Sequence, residues 1–205
     1  MSNIVIEQGL SHGETKKLSQ GNFCWSVPNA VSNEDCEKIY NRYEELRQFE
    51  PSLVADGQTK IRKSQSVFDN LDWIYDLVWP HQKESNQLAD WHFKIDSAEN
   101  YQVTKYEEGD YYGTHIDSLG TNATKRIEPN LPNLHNKTRK MSMTLNLNDP
   151  SEYEGGELRL FGVGTLPADK GSMIFFPSYL PHEVTPVTKG VRYSLVIWFL
   201  GPPWE

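Results

Sequence analysis

The sequence predicts a mainly β domain with N-terminal helices, an α+β fold class in which helices back a β core. Two helix-like segments occur before residue 100, and strand-like runs separated by turn residues follow from residue 101 onward. Residues 141–148 alternate apolar and polar side chains without a break, so one face of this strand should pack on helices while the other faces a polar interior. We therefore expect residues 1–205 to form a single domain, with strands and supporting helices in residues 1–100 and the β core in residues 101–202.

Composition and charge argue against several classes of function. The chain carries a net charge of −8, which disfavours non-specific binding to nucleic acid or to anionic membranes. No apolar stretch reaches transmembrane length, and the N-terminal segment lacks the apolar core of a signal peptide. Cys24 and Cys36 have no metal-binding spacing and suggest no disulfide framework. We expect a cytoplasmic protein without nucleic-acid or membrane partners, and tryptophans that pack in the core rather than stack on bases, at Trp73, Trp79 and Trp91.

The N-terminal half predicts two strands and two helical regions. Residues 23–27 are strand-like, and Ser32 can cap a helix whose apolar positions then recur at one-face spacing. Residues 61–68 are predicted as a second strand. A second helix begins in residues 69–78, and Pro80 is expected to interrupt it, with a new helix starting at that proline.

The β core begins with the strand Tyr101–Tyr106 and a turn. His115 and Asp117 follow directly, and a spacing of two places both side chains on the same face of an extended strand. Residues 118–140 form a long polar segment with five basic residues and only one acidic residue, Glu128. Long connections of this kind are commonly functional lids or mobile loops, so both interpretations stay open.

The closing run of the chain holds polar groups in unexpected places. Residues 172–177 are strand-like, His182 follows after a turn, and Arg192 precedes the apolar run at residues 193–200. A histidine and an arginine on such apolar segments need partners, because an unpaired polar group is costly to bury.

His115, Asp117 and His182 together supply two imidazoles and one carboxylate on a β scaffold. Three such ligands suit Fe(II) with open coordination positions, the 2-His-1-carboxylate arrangement. Arg192 presents a planar fork that suits a distant carboxylate in the same pocket. We assign the remaining histidines to ordinary core or surface positions: His12, His81, His92 and His135.

With these residues in place, the chain resembles the prolyl-4-hydroxylase-type branch of the Fe(II)/2-oxoglutarate-dependent dioxygenases. The resemblance covers residues 101–202 and implies a double-stranded β-helix (jelly-roll) core backed by helices. The matching features are Tyr106 before the turn, His115-x-Asp117, EGGEL at residues 154–158, FFPSYLPHEVTPV at residues 175–187 and GVRYSLVIW at residues 190–198.

The resemblance implies a role for each site residue. His115, Asp117 and His182 would bind iron, Arg192 would form a salt bridge with the C5 carboxylate of 2-oxoglutarate, and Tyr106 would hydrogen-bond the same cosubstrate. An aspartate at position 117 argues against the halogenating relatives, in which a small residue replaces the carboxylate. Further candidates for lining the cosubstrate pocket or shaping the cavity near the metal are Thr144, Asn146, Ser194 and Trp198.

The implied activity is hydroxylation of a prolyl or other residue in a polypeptide, coupled to O2-dependent oxidative decarboxylation of 2-oxoglutarate to succinate and CO2. Ascorbate is a candidate reductant. The alternatives are a hydroxylase of a small molecule such as a free amino acid, a non-catalytic metal-binding jelly-roll module or sensor, and a cupin-like isomerase or hydrolase, which would not need Arg192. Hydroxylation and demethylation outcomes both stay open, as do monomer and homodimer.

Overall fold

Most strands of this protein belong to two antiparallel sheets that build a jelly-roll core. The computed structural model describes residues 23–52, 61–118 and 131–204. The strands are β1 (Trp25–Val27), β2 (Glu50–Pro51), β3 (Arg62–Lys63), β4 (Gln65–Asp69), β5 (Ser97–Ala98), β6 (Tyr101–Tyr106), β7 (Tyr111–His115), β8 (Thr138–Asn146), β9 (Tyr153–Gly155), β10 (Leu158–Leu160), β11 (Gly164–Thr165), β12 (Met173–Pro177), β13 (His182–Val184), β14 (Val187–Gly190) and β15 (Arg192–Gly201).

The larger sheet has the order β1-β12-β8-β15-β6-β4-β2, and β5 also pairs with β15. The smaller sheet has the order β11-β10-β13-β7-β3, and β14 pairs with β9. Every residue of β8 is buried, as expected for a central strand covered on both faces. Its apolar side chains join a core shared with the helices, while its polar side chains face the interior. The alternation in residues 141–148 therefore predicted the two faces of this strand correctly.

Helix α1 (Asn33–Glu45) agrees with the prediction. The side-chain oxygen of Ser32 accepts a hydrogen bond from the backbone N–H of Asp35 at 3.1 Å, which satisfies one of the free donors of the first turn. One face of the helix is buried against the larger sheet through Cys36, Ile39 and Tyr43.

The predicted break at Pro80 is wrong, because helix α2 (Asp72–Leu88) continues through this proline. Proline removes the N–H that would bond to the carbonyl four residues earlier, at Asp76. Both Asp76 and Pro80 lie on the exposed side of α2, so water can take the place of the lost donor. The apolar face of the helix stays intact on the opposite side, with Ile74 and Val78 buried.

The strand predicted at residues 61–68 is in fact two strands in different sheets. β3 pairs with β7 in the smaller sheet, and β4 pairs with β6 in the larger one. Ser64, buried between them, marks the point where the chain passes from one sheet to the other. This crossover brings Arg62 beside the strand that ends in His115.

The segment predicted as a loop at residues 118–140 ends earlier than expected. Strand β8 already begins at Thr138, so Arg139 and Lys140 are buried strand residues rather than charges on a loop. A short 3-10 turn, Pro132–Leu134, precedes the strand. Residues 119–130 lie outside the described residues, and so does His12. The choice between a lid and a mobile loop stays a prediction.

The main hydrophobic core combines side chains from both halves of the chain, including Ile39 of α1, Ile74 of α2, Met143 of β8 and Phe199 of β15. Trp73, Trp79 and Trp91 pack against this core, as predicted. None of the helices in the described segments is long and apolar enough to span a membrane.

Candidate metal centre

Three potential metal ligands converge between neighbouring strands of the smaller sheet. His115 ends β7, His182 begins β13, and the two residues are paired directly across the strands. Asp117 lies two residues past His115, just beyond the strand, where its backbone N–H donates to the carbonyl of Ser178 at 2.9 Å. The ligand atoms of the three side chains all lie within 4.8 Å of one another. No other group of at least three histidine, cysteine or acidic residues in the described segments could hold a metal ion.

The backbone fixes the orientation of both imidazoles. His115 Nδ1 lies 2.8 Å from the carbonyl oxygen of Gly113, and His182 Nδ1 lies 2.9 Å from that of Leu180. A carbonyl oxygen can only accept, so each Nδ1 carries the proton and donates. Each Nε2 is then left with a free lone pair for a metal, and both point towards the carboxylate of Asp117, at 3.6 Å and 3.5 Å.

The protonation states also suit a metal. Burial acts to raise the pKa of Asp117, but the nearby imidazoles and Arg139 outweigh it and hold this pKa below its usual range. Burial lowers the pKa of His182, so this imidazole is neutral at pH 7. Ser142 Oγ donates to Asp117 Oδ2 at 2.7 Å and lies 2.9 Å from Ser178 Oγ, which orients the carboxylate. Two imidazoles and one ionised carboxylate form a donor set that fits Fe(II).

Arg192 is a buried cation without an anionic partner among the described residues. Its side chain is 2% exposed, and its terminal nitrogens reach only two neutral groups, Ser194 Oγ at 3.4 Å and Asn146 Oδ1 at 3.3 Å. The guanidinium lies 5.5 Å from the ring centre of Tyr106. A buried guanidinium with only long contacts to neutral groups is an incomplete arrangement, which a carboxylate ligand would complete.

Arg139, which also lies beside the cluster, provides a contrast. It forms a bidentate pair with Glu99, with Nε–Oε1 and Nη2–Oε2 distances of 2.7 Å and 2.5 Å. Its Nη1 donates to the backbone carbonyl of Asp117 at 3.3 Å, and the guanidinium lies 4.1 Å from the ring centre of Trp198. Because Glu99 neutralises its charge, Arg139 needs no ligand and instead joins the aspartate segment to the wall of the cavity.

The register of β8 and β15 places the remaining predicted residues on one face. Ser194 lies opposite Asn146, Val196 opposite Thr144, and Trp198 opposite Ser142. Thr144, Asn146, Ser194 and Trp198 are all buried. The structure thus gathers every predicted site residue around one interior region, whereas three other histidines lie outside the metal-ligand cluster: His81, His92 and His135.

Sequence reasoning did not find several side chains that contact this site. Ser142 was visible as a polar position of the alternating strand, but its hydrogen bond to Asp117 was not. Arg139 was assigned to the loop, and its pairing with Glu99 joins positions 40 residues apart, a contact with no local signal. Tyr112 stacks on His115 with a ring-centre distance of 3.5 Å, and Arg62 lies 4.6 Å from the Tyr112 ring.

Comparison with known proteins gives a consistent result. Residues 101–200 match the sequence profile of the 2OG-Fe(II) oxygenase superfamily. A PKHD-type hydroxylase of Alteromonas mediterranea is 42% identical over 97 residues, which cover 46% of this chain and 40% of the relative. The matched segment therefore spans about two fifths of the length of this relative.

Two solved structures share the fold. The viral collagen prolyl hydroxylase of Paramecium bursaria Chlorella virus-1 aligns with a TM-score of 0.65 and 19% identity, covering 87% of this chain and 96% of that chain. A prolyl-4-hydroxylase of Pseudomonas putida aligns with a TM-score of 0.65 and 18% identity, covering 86% and 91%. At these identities the likeness establishes the jelly-roll fold.

Proposed function

We propose that this chain, whose residues 101–200 form a 2OG-Fe(II) oxygenase core of the prolyl 4-hydroxylase-like type, is a Fe(II)- and 2-oxoglutarate-dependent dioxygenase that hydroxylates a prolyl or other residue in a polypeptide. The observation that carries this proposal is a three-ligand cluster and a buried arginine without an anionic partner among the described residues, Arg192, on the same polar face of β8. Ser142 on this face contacts Asp117, and Asn146 contacts Arg192. Neither the cluster nor the arginine alone would require this chemistry.

The metal role belongs to His115, Asp117 and His182. Fe(II) bound there, together with 2-oxoglutarate and O2, would supply the oxidising chemistry that yields succinate, CO2 and a hydroxylated product. The protein's own contribution is to hold both Nε2 lone pairs and the ionised carboxylate in place through backbone carbonyls and Ser142. Three protein ligands leave coordination positions for the cosubstrate.

Arg192 would bind the C5 carboxylate of 2-oxoglutarate. Charge-assisted hydrogen bonds from a guanidinium fork contribute about 1.5–3 kcal/mol each, more than neutral ones. Asn146 and Ser194 hold the fork in position, and Tyr106 covers one side of it. Thr144 lines the same face of the sheet. Burial of these groups would exclude water from the reacting atoms.

A polypeptide substrate is supported by the viral protein that shares this fold, which is a collagen prolyl hydroxylase. Trp198 would form an apolar wall against which a prolyl ring could pack, since it lies opposite Ser142, which contacts Asp117. A free amino acid is the alternative substrate. Supplying peptides and free amino acids separately distinguishes these two substrate classes.

We also propose that residues 1–205 act as one domain in a reducing, cytoplasmic setting. The core shared by α1, α2 and the larger sheet supports a single unit. Both cysteines are free and buried, which supports a reducing compartment.

Succinate formation tests the proposal directly. The purified protein is incubated with Fe(II), ascorbate, O2 and 2-oxoglutarate, first alone and then with proline-containing peptides or with free amino acids. We expect iron-dependent succinate that peptides increase, and no succinate from the His182→Ala variant, which should keep its fold because it loses only a ligand. Failure of the metal-loaded protein to bind 2-oxoglutarate would contradict the proposal and favour a non-catalytic module.

A further inference from the structure

A second buried arginine near this site has no anionic partner among the described residues. Arg62 is 8% exposed, and its Nε donates to Ser64 Oγ at 2.9 Å. Its two terminal nitrogens have no hydrogen-bond partner among the described residues. Asp110, which precedes β7, is already paired with Lys63 at 2.9 Å, so it does not compensate Arg62. Arg62 therefore resembles Arg192 and differs from Arg139, which Glu99 neutralises.

Arg62 lies close to the metal ligands. β3 pairs with β7 so that Arg62 is directly opposite Tyr112, and its guanidinium sits 4.6 Å from the Tyr112 ring centre. The other partner of that ring is His115, stacked at 3.5 Å with an interplanar angle of 11°.

The formal charges of the site leave the positive charge of Arg62 without a compensating negative charge among the groups considered. With the proposed ligands bound, Fe(II) and Arg192 carry three positive charges, and Asp117 and 2-oxoglutarate carry three negative ones. The Arg139–Glu99 pair is neutral. One positive charge remains on Arg62, where cation–π contact with Tyr112 offsets only part of the cost of burying it.

We propose that Arg62 binds a carboxylate of the substrate, so that this enzyme acts on a target residue that has a carboxylate close to it. The proposal rests on the proposed function and specifies its substrate class. A guanidinium fork recognises a carboxylate in two parallel hydrogen bonds, and the terminal nitrogens of Arg62 bond to no other group in the part of the chain that the structure describes. The carboxylate can come from an acidic side chain beside the target residue, from a polypeptide C-terminus or from a free amino acid.

Binding to protein loaded with Mn(II) and 2-oxoglutarate, measured by calorimetry without O2, tests this without relying on turnover. The first probes are three proline pentapeptides: one with neutral capped ends, one identical except for an aspartate after the proline, and one that ends in proline with a free carboxylate. Free L-proline and L-prolinamide form a further pair. We expect at least one of the ligands that carry a carboxylate to bind about tenfold more tightly than its neutral counterpart. This difference in affinity corresponds to one charge-assisted hydrogen bond.

The Arg62→Gln variant should bind that ligand only as weakly as its neutral counterpart, while its affinity for 2-oxoglutarate and for the neutral ligand stays unchanged. Arg62→Lys keeps the charge without the fork and should retain part of the preference. Arg42→Gln, on the exposed face of α1, is the matched control and should change nothing. The pair that shows the preference identifies the source of the carboxylate.

Two results would overturn the proposal. The first is a carboxylate preference that survives in Arg62→Gln. The second is a wild type that binds 2-oxoglutarate but shows no carboxylate preference, which includes the case in which it binds none of the probes. Loss of 2-oxoglutarate binding by the wild type would instead contradict the proposed function itself. A melting curve of each variant separates loss of the ligand contact from loss of the fold.

Discussion

Three buried arginines around one metal-ligand cluster show how a single residue type takes different roles according to its partners. Arg139 is paired with Glu99 and acts within the protein, whereas Arg192 and Arg62 have only neutral partners among the described residues. Burial of a charge is costly unless an opposite charge or good hydrogen bonds offset it. Unpaired buried guanidinium groups in a cavity are therefore evidence for an anionic ligand.

Replacing Arg192 with alanine should raise the Kd for 2-oxoglutarate by about 10- to 100-fold, because the variant lacks the charge-assisted contacts to one carboxylate. The metal affinity should stay nearly constant, since Arg192 does not touch the ligand cluster. Calorimetry with Mn(II) and then with 2-oxoglutarate measures the two separately, and Arg42→Ala serves as the control. Equal loss of both affinities would assign Arg192 a structural role.

Metal retention should depend on pH through the histidine ligands. A proton and a metal compete for Nε2, and burial lowers the pKa of His182 below its ordinary 6.5. Metal binding should therefore hold steady from pH 8 to pH 7 and weaken only below about pH 6.5.

The stability of the metal-free protein should change with pH in the same direction as metal binding. A lowered folded-state pKa means that the unfolded chain takes up the proton more readily, so the contribution of His182 is present above pH 6.5 and is lost as the pH falls. Mn(II) titrations and urea denaturation at several pH values measure both effects. The His182→Ala variant should show a smaller change in stability over this range, and an unchanged pH dependence would contradict the role given to His182.

At the scale of the elements, helix α2 shows that a proline need not end a helix if its defect faces water. Pro80 is exposed on the side opposite the buried residues Ile74 and Val78, so the apolar packing continues past it. The packing of this face on the larger sheet stabilises the helix more than the missing hydrogen bond destabilises it.

Replacing Pro80 with alanine should therefore stabilise the protein by about 2 kcal/mol. The new N–H restores a helical hydrogen bond and relieves a cost of roughly 3 kcal/mol, and the greater freedom of the unfolded chain offsets part of that gain. Urea denaturation measures the change, and Lys83→Ala on the exposed face of the same helix controls for alanine propensity. A decrease in stability would mean that Pro80 has a role in packing.

At the scale of the whole molecule, the Arg139–Glu99 pair connects distant parts of the chain around the site. Glu99 lies between β5 and β6, Arg139 lies in β8, and the arginine also donates to the carbonyl of Asp117. Glu99 is only 1% exposed, so the pair is shielded from solvent and from salt. It ties the segment that carries Asp117 to the larger sheet.

Glu99→Gln should destabilise the fold by about 3–5 kcal/mol, because it leaves the charge of Arg139 buried without a partner. Combining Glu99→Leu with Arg139→Met should cost less than Glu99→Leu alone, since the double variant buries no unpaired charge. Urea denaturation of the wild type, Glu99→Leu, Arg139→Met and the double variant completes the double-mutant cycle. If the destabilisation of the double variant equalled the sum for the two single variants, the Glu99–Arg139 pair would make no contribution of its own to stability.

The amino-acid sequence by itself indicated the candidate site residues and most local structure. His115-x-Asp117, His182 and Arg192 were recognisable because ligand type and strand periodicity are local properties. The Ser32 cap and the alternation in β8 were visible for the same reason. These features need only near neighbours in the chain.

Only the tertiary structure decided which groups meet and which charges are compensated. The pairing of His115 with His182, the split of residues 61–68 between two sheets, and the neutralisation of Arg139 by Glu99 all depend on strand register. Such contacts join residues tens of positions apart and leave no periodic signal. Whether a buried arginine is structural or awaits a ligand is therefore settled by its partners in space.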